Sequence, residues 1–327
     1  MLHIRDRLST CAIALLVAAA MMSPIYSQSY PSNLIRIVVA AASGTPPDII
    51  SRLIANDVAQ NEAWRIIVED KPGAMQTIAG AEVLRQPSDG HSVISVSLPG
   101  MVAPALLANV NYSLEKDFSP VVKLSTSYNV LVVHPSLPVT SVSELVAHLK
   151  NHPDKLTYSS GGFGTPAHLA AELFKLQTGV RATHVPYQAL PQAIGDLISG
   201  TNQFMFVTTL PVGDLIAAGK LRALAVTAPK RVAALKDVPT VGEAGFPELV
   251  VQDWVGYLVK TGTPKDIVTR LNEAINKALA KPAIQDSLAK LGAEAAGGSP
   301  EEFANFVGAQ TAYWARVVKE SGMKMHQ

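Results

Sequence analysis

Cysteine is almost missing from this chain, with one among 327 residues. A disulfide framework and a Cys-rich zinc module are thereby excluded. Charge is also scarce and balanced: 16% of residues are DEKR, the formal net charge is +1, and no block of one sign stands out. Nucleic-acid recognition led by phosphate contacts needs a basic stripe, and none is here. Although 48% of residues are AVILMFWYC, no apolar run past the N-terminus approaches the ~18 residues of a membrane-spanning helix. What is present is enough chain for one large or two medium domains with a sizeable core.

The N-terminus reads as an address. Arg5 and Arg7 precede an uncharged stretch, Leu8–Met22, and small residues follow before Gln28. A charged region, an apolar region and a short cleavage region make a secretory signal peptide over residues 1–27. The stretch is short for a membrane anchor. Cys11 opens the apolar run, where a lipid-modified cysteine would follow it. Removing 1–27 leaves 25 basic and 25 acidic side chains and no cysteine. The expected product is an exported, monomeric, near-neutral protein of the periplasm.

The mature chain alternates strand and helix signals. β-branched or apolar runs bounded by turn residues predict strands at Leu34–Ala40, Arg65–Glu69, Ser92–Ser97, Asn129–Val133 and Leu156–Ser159. The series continues at Ala182–Val185, Phe204–Thr208, Leu221–Thr227 and Trp254–Val259. Ser141-Val142-Ser143-Glu144 predicts a capping box for a helix that stops before Pro153, and Ser299-Pro300-Glu301-Glu302 opens the last helix. Ile267, Leu271, Ile275 and Leu279 form an amphipathic stripe. The expectation is an α/β protein of two lobes, each a mostly parallel sheet flanked by helices. Crossings near Tyr128–Val130 and Gln252–Trp254 would give one discontinuous lobe, 28–128 plus 253–327, and a second of 129–252.

One tripeptide recurs. Gly44-Thr45-Pro46, Gly164-Thr165-Pro166 and Gly262-Thr263-Pro264 each follow a predicted strand. In each, Thr can cap a helix, Pro suits its first position and Gly permits a sharp turn. The third reads as a good helix start and no more. The first two lie in loops of small and hydroxylated residues, 41–45 and 159–165, where a ligand can approach the backbone. Two such loops suggest an anion held between two helix N-termini.

Other chemistries fit less well. Ser160 and His168 suggest a hydrolase, but no G-x-S-x-G elbow surrounds Ser159 or Ser160. His148 and His152 lack the glutamate of a zinc-protease helix, and Gly162-Phe163-Gly164 lacks the rest of a dinucleotide or phosphate loop. Asp48 completes the electrostatics of its helix start. No catalytic constellation, metal site or cofactor motif emerges.

Against this background the chain resembles a known family. Tyr30-Pro31, the strand Ile35–Val39, the loop from Gly44 to Asp48, and Val68-Glu69-Asp70-Lys71-Pro72-Gly73-Ala74 carry the likeness. So do Lys116-Asp117-Phe118-Ser119-Pro120, Tyr158-Ser159-Ser160-Gly161, His168–Phe174, Val185-Pro186-Tyr187, Gly219–Ala225 and Pro239–Gly245. The chain is similar, over nearly its whole mature length, to the Bug-type receptors, the periplasmic solute-binding proteins of tripartite tricarboxylate transporters. The resemblance implies a type II periplasmic-binding-protein fold that closes on a small organic carboxylate for membrane components of such a transporter. It implies ligand contacts at Ser43, Gly44, Thr45 and Asp48 in the first loop and Ser160, Gly161, Gly164, Thr165 and His168 in the second. Met75 and Gln76, where the family is Gly-rich, add larger side chains near the cleft. Val207 stands where an acidic residue is often found, which argues against an amino-acid ligand. A ligand-sensing partner of a signalling protein would be served by the same fold.

Overall fold

A computed structural model describes residues 30–323. The signal peptide expected over 1–27 lies outside them. No helix among the described residues is long and apolar enough to cross a membrane.

The described residues form ten strands: β1 Ile35–Val39, β2 Ile66–Asp70, β3 Ser92–Ser97, β4 Phe118–Val133, β5 Thr157–Ser160, β6 Thr183–Pro186, β7 Phe204–Thr208, β8 Arg222–Val226, β9 Gln252–Lys260 and β10 Ala293–Gly297. The helices that matter most for the site are α1 Pro46–Glu62, α2 Leu98–Leu106, α3 Val142–Asn151, α4 Pro166–Thr178, α5 Lys265–Leu279 and α6 Pro300–Ser321. The sheet is mixed. Its outer pairs, β1 with β2 and β3, and β5 with β6 and β7, are parallel, as the strand-helix alternation predicts. Its middle is antiparallel, because β9 pairs with β3 and β4, and β4 also pairs with β7, β8 and β10.

β4 runs for 16 residues, far beyond the Asn129–Val133 segment that its sequence suggests. Pro120 disguises the first part: it sits where the register shifts against β9, and a bulge is where a strand tolerates a residue without an N–H. Residues 118–128 of β4 pair with β9, and residues 129–133 pair with β7 and β8. β10 was not predicted. Its sequence, AEAAG, has little β-propensity, and it forms by pairing with β4 rather than by local preference.

Packing explains the helices. The Ser299 capping box is complete, with both the Glu302 N–H and the Ser299 N–H satisfied by side chains. The α3 box is half formed: Ser141 accepts the Glu144 N–H, while the Glu144 carboxylate turns to Thr140. On α5 the buried face is wider than the predicted stripe, adding Val268, Ala274 and Ala278 while Ile267 is only half buried. α6 lies on β9 through Phe303, whose ring meets Trp254 edge-on at 5.5 Å. Gly256 makes room for it, since a Cβ there would come within 2.2 Å of the ring. Removing a ring packed this closely costs about 3–5 kcal/mol.

Candidate functional site

The first two Gly-Thr-Pro turns have the same hydrogen-bond scheme. Thr45 Oγ1 donates to the Ala42 carbonyl at 2.6 Å, and Thr165 Oγ1 donates to the Gly162 carbonyl at 2.8 Å. The Gly44 N–H reaches Asp48 Oδ2 at 2.8 Å, and the Gly164 N–H reaches His168 Nδ1 at 3.2 Å. In each turn a side chain four residues on therefore occupies the glycine's donor. Both glycines have positive φ, +78° and +72°. The third turn shares the threonine bond, Thr263 Oγ1 to the Lys260 carbonyl at 2.8 Å, and lies apart from the cavity described next.

The turns border a cavity of about 310 Å³, with Thr45, Pro46 and Pro47 on one side and Gly161, Thr165 and Pro166 on the other. Its back wall is the middle of the sheet. Ser125, Ser127 and Asn129 line it from β4, Asp253 and Val255 from β9, and Ala293 from β10. These are alternate residues, as one face of a strand requires. Ser127 is directly opposite Asp253 on one side and Ala293 on the other. Gln76 and Ser97 complete the wall near the first turn, and Met205 and Val207 near the second.

Of the residues predicted for the site, Thr45, Gln76, Gly161 and Thr165 line this cavity. The others do not. Ser43 and Gly44 are exposed on the first turn. Asp48 is buried, with Arg52 Nε at 2.6 Å from its Oδ1, and Arg52 in turn holds Asp70 at 2.9 Å. Burial alone would raise the Asp48 pKa. The Gly44 N–H, Asp70 and Arg52 outweigh it and hold the carboxyl below its usual range. Asp70, half-buried beside the same carboxylate, is raised by that burial and by Asp48.

Behind the second turn two neutral imidazoles lie near an ion pair, Glu172 with Lys175 at 2.7 Å. Ser160 Oγ lies 2.7 Å from His184 Nε2, and the rings of His168 and His184 are 4.4 Å apart. Burial pushes His168 down to about 4, and burial together with His168 pushes His184 down to about 3. The Ser160–His168 pair considered from the sequence does not form. His168 serves the Gly164 N–H, and Ser160 is fully buried against His184. Thr165 caps α4 weakly, accepting the His168 N–H at 3.4 Å, whereas Thr45 makes no side-chain cap bond.

Met75 meets the second turn rather than the cavity: a Cβ on Gly164 would lie 2.3 Å from Met75 Cε. Gly73 through Gln76 all have positive φ. Non-glycine residues in that region cost on the order of 1–3 kcal/mol each. Gln76 is fixed there by two bonds to Ser97, Nε2 to Oγ at 2.6 Å and Oε1 from the Ser97 N–H at 3.0 Å.

Sequence reasoning missed Ser125, Ser127, Asn129 and Asp253. The nearest sequence signal was the expectation of chain crossings at Tyr128–Val130 and Gln252–Trp254, segments that adjoin or include these residues.

Comparison with known proteins decides the family. Residues 50–323 match the model of the tripartite tricarboxylate transporter family receptor. The chain belongs to that family. It is 33% identical over 300 residues to a protein from the tcbD-tcbE intergenic region of Pseudomonas sp. strain P51, covering 91% of this chain and 89% of that one. A solved R. palustris protein with adipate is 33% identical, with a TM-score of 0.79 over 90% of this chain and all of that one. MatC from Rhodopseudomonas palustris, with bound malate, is 30% identical, with a TM-score of 0.77 over 88% of this chain and 100% of its own. The fold is thus the two-lobe α/β fold of periplasmic binding proteins, and the family is one of Bug-type solute-binding receptors.

Proposed function

We propose that this protein is a periplasmic receptor that captures a small organic carboxylate in the cavity between its two Gly-Thr-Pro turns. The observation that carries this reading is the cavity itself. It is bounded by two helix starts and floored by serines and an asparagine, in a fold shared with proteins solved holding adipate and malate. Thr45, Gln76, Gly161 and Thr165 meet the ligand. Ser43, Gly44, Asp48, Met75, Ser160, Gly164 and His168 shape the turns around it. With the Gly44 and Gly164 N–H groups already satisfied by side chains, the anion relies on the remaining turn groups, the positive ends of α1 and α4, and the wall hydroxyls.

Recognition without bond making fits Ser160, which is buried against His184, a ring whose Nδ1 has no hydrogen-bond partner among the described residues to orient it as a base. The lobes divide where β4 changes partners, near 128–129, and again near 252–253, so that 28–128 with 253–327 closes on 129–252. Delivery to the membrane components of a tripartite tricarboxylate transporter, after cleavage near Ser27, completes the role.

A thermal-shift screen of carboxylates on protein unfolded and refolded to remove carried-over ligand tests the reading. A true ligand at a hundred times its Kd stabilises by about 2.7 kcal/mol. Turnover of a model ester that is lost in Ser160→Ala, with no carboxylate stabilising the fold, would overturn it.

A further inference from the structure

The cavity's charge is the opposite of what two carboxylates would seek. Among the described residues that line it, Asp253 alone is ionisable. Its carboxylate accepts the Trp254 N–H at 2.9 Å and the Leu98 N–H, and no cation among the described residues is its partner. Burial, only partly opposed by those two bonds, pushes its pKa up to about 7. Neighbouring ionisable groups do not relieve it. Glu294 and Tyr128 interact with each other from the alternate positions of β10 and β4, which face away. Lys123 sits over the Phe306 ring at 4.2 Å. Asp48, Arg52 and Asp70 are tied together behind the first turn.

A second observation comes from the same wall. Asn129 is 2% exposed, and its backbone N–H is held by Thr227 Oγ1 at 3.0 Å. Its Nδ2 has no partner among the described residues, although the residue lines the cavity. A buried donor without a partner is a place for an incoming acceptor. One wall therefore offers a carboxylate and, two residues along from its strand partner Ser127, an unused N–H donor.

We propose that the ligand is zwitterionic: an amino acid whose ammonium group pairs with Asp253 and whose carboxylate faces the two turns, one of its oxygens accepting from the Asn129 amide. A dicarboxylate would set a second negative end near Asp253 with no cation between them, and one of the two would have to take up a proton. An ammonium does the reverse: it stabilises the ionised form and drives a proton off Asp253. Val207, which removes one candidate carboxylate, is compensated by Asp253 in the same cavity. The proposal rests on the carboxylate-receptor reading.

The test is isothermal titration of refolded, ligand-free protein. Succinate, glutarate and adipate are compared with 4-aminobutyrate, 5-aminopentanoate, 6-aminohexanoate and the protein amino acids. At pH 8 the best amino acid should bind about tenfold or more tighter than any of the dicarboxylates, and Asp253→Asn should narrow that ratio by a similar factor. Wild-type protein supplies a readout that needs no variant: titration at pH 7 in buffers of different ionisation enthalpy should show proton release on amino-acid binding. Dicarboxylates bound preferentially, or amino acids bound without proton release, would overturn the proposal and leave the receptor reading standing. Binding of neither class would bring down the receptor reading itself.

Discussion

The two Gly-Thr-Pro turns solve one geometric problem with opposite chemistry. Each bends the chain from a strand into a helix, and each hands its glycine N–H to the side chain four residues on. At the first turn the acceptor is Asp48, charged and clamped by Arg52 and Asp70. At the second it is His168, neutral and tilted by 31° against a second neutral histidine. The backbone scheme comes from the shared tripeptide, while the fifth residue decides how the turn answers to pH and to packing. The contrast extends to space. A Cβ on Gly44 would meet nothing within 4 Å, whereas one on Gly164 would run into Met75.

The strongest way to separate the turns is therefore to load both glycines. Gly164→Val combines a left-handed backbone with the Met75 clash, and should abolish measurable ligand binding and destabilise the fold by more than 2 kcal/mol, about twice what the conformation alone costs. Gly44→Val carries only the conformational part, about 1–2 kcal/mol, with little loss of affinity. Urea denaturation and calorimetry on both variants check the order. Adding Met75→Ala to Gly164→Val should restore the steric share, and no restoration would mean that Met75 is not what fills the space.

Acid comes next. His168 has a folded pKa of about 4 against an ordinary 6.5. Between those values the unfolded chain binds the proton and the native state refuses it. Stability is thus full above about pH 6.5 and falls as the pH drops toward 4, by about 3 kcal/mol from this ring at roughly 1.4 kcal/mol per pH unit. The Asp48 carboxyl, held below its usual range, keeps the first turn intact through the same window. Urea midpoints from pH 7 to 4 should fall in wild type and fall less in His168→Asn, which keeps an acceptor and cannot titrate.

Smaller effects sharpen the picture. Asp48→Ala leaves the Gly44 N–H without its acceptor and should cost about 1–3 kcal/mol, while Asp48→Asn should recover part of that. Thr165→Ala removes a weak cap and one turn bond, costing about 0.5–2 kcal/mol. Thr45→Ala has no cap bond to lose and should cost less, about 0.5–1.5 kcal/mol for the bond to Ala42. Equal losses for the two threonines in thermal unfolding would contradict a cap bond present at Thr165 and absent at Thr45.

How much of this was legible beforehand follows from locality. The turns were readable because Gly, Thr and Pro act within four residues of chain, and so were eight strands, the last five residues of β4 and the Ser299 cap. β10 was not, since Ala293–Gly297 becomes a strand only beside β4. The cavity wall escaped for the same reason. Ser125, Ser127 and Asp253 fall outside the predicted strands, and only the pairing of β4 with β9 turns them to the cleft on one face. His184 as the partner of Ser160 was hidden as well, since a parallel register one strand away brings them together. Nothing local marked the Gly44 and Gly164 donors as taken, although the spacing to Asp48 and His168 was on view.

The central claim is that one carboxylate ligand occupies the space between the two turns. A crystal structure of refolded protein with the best ligand of the screen tests it most directly. The account predicts density for the carboxylate beside Thr45 and Thr165, with the rest of the ligand against Asn129 and Asp253. Density for the ligand in the surface groove between Phe246 and Tyr313 instead, with this cavity holding water alone, would contradict it.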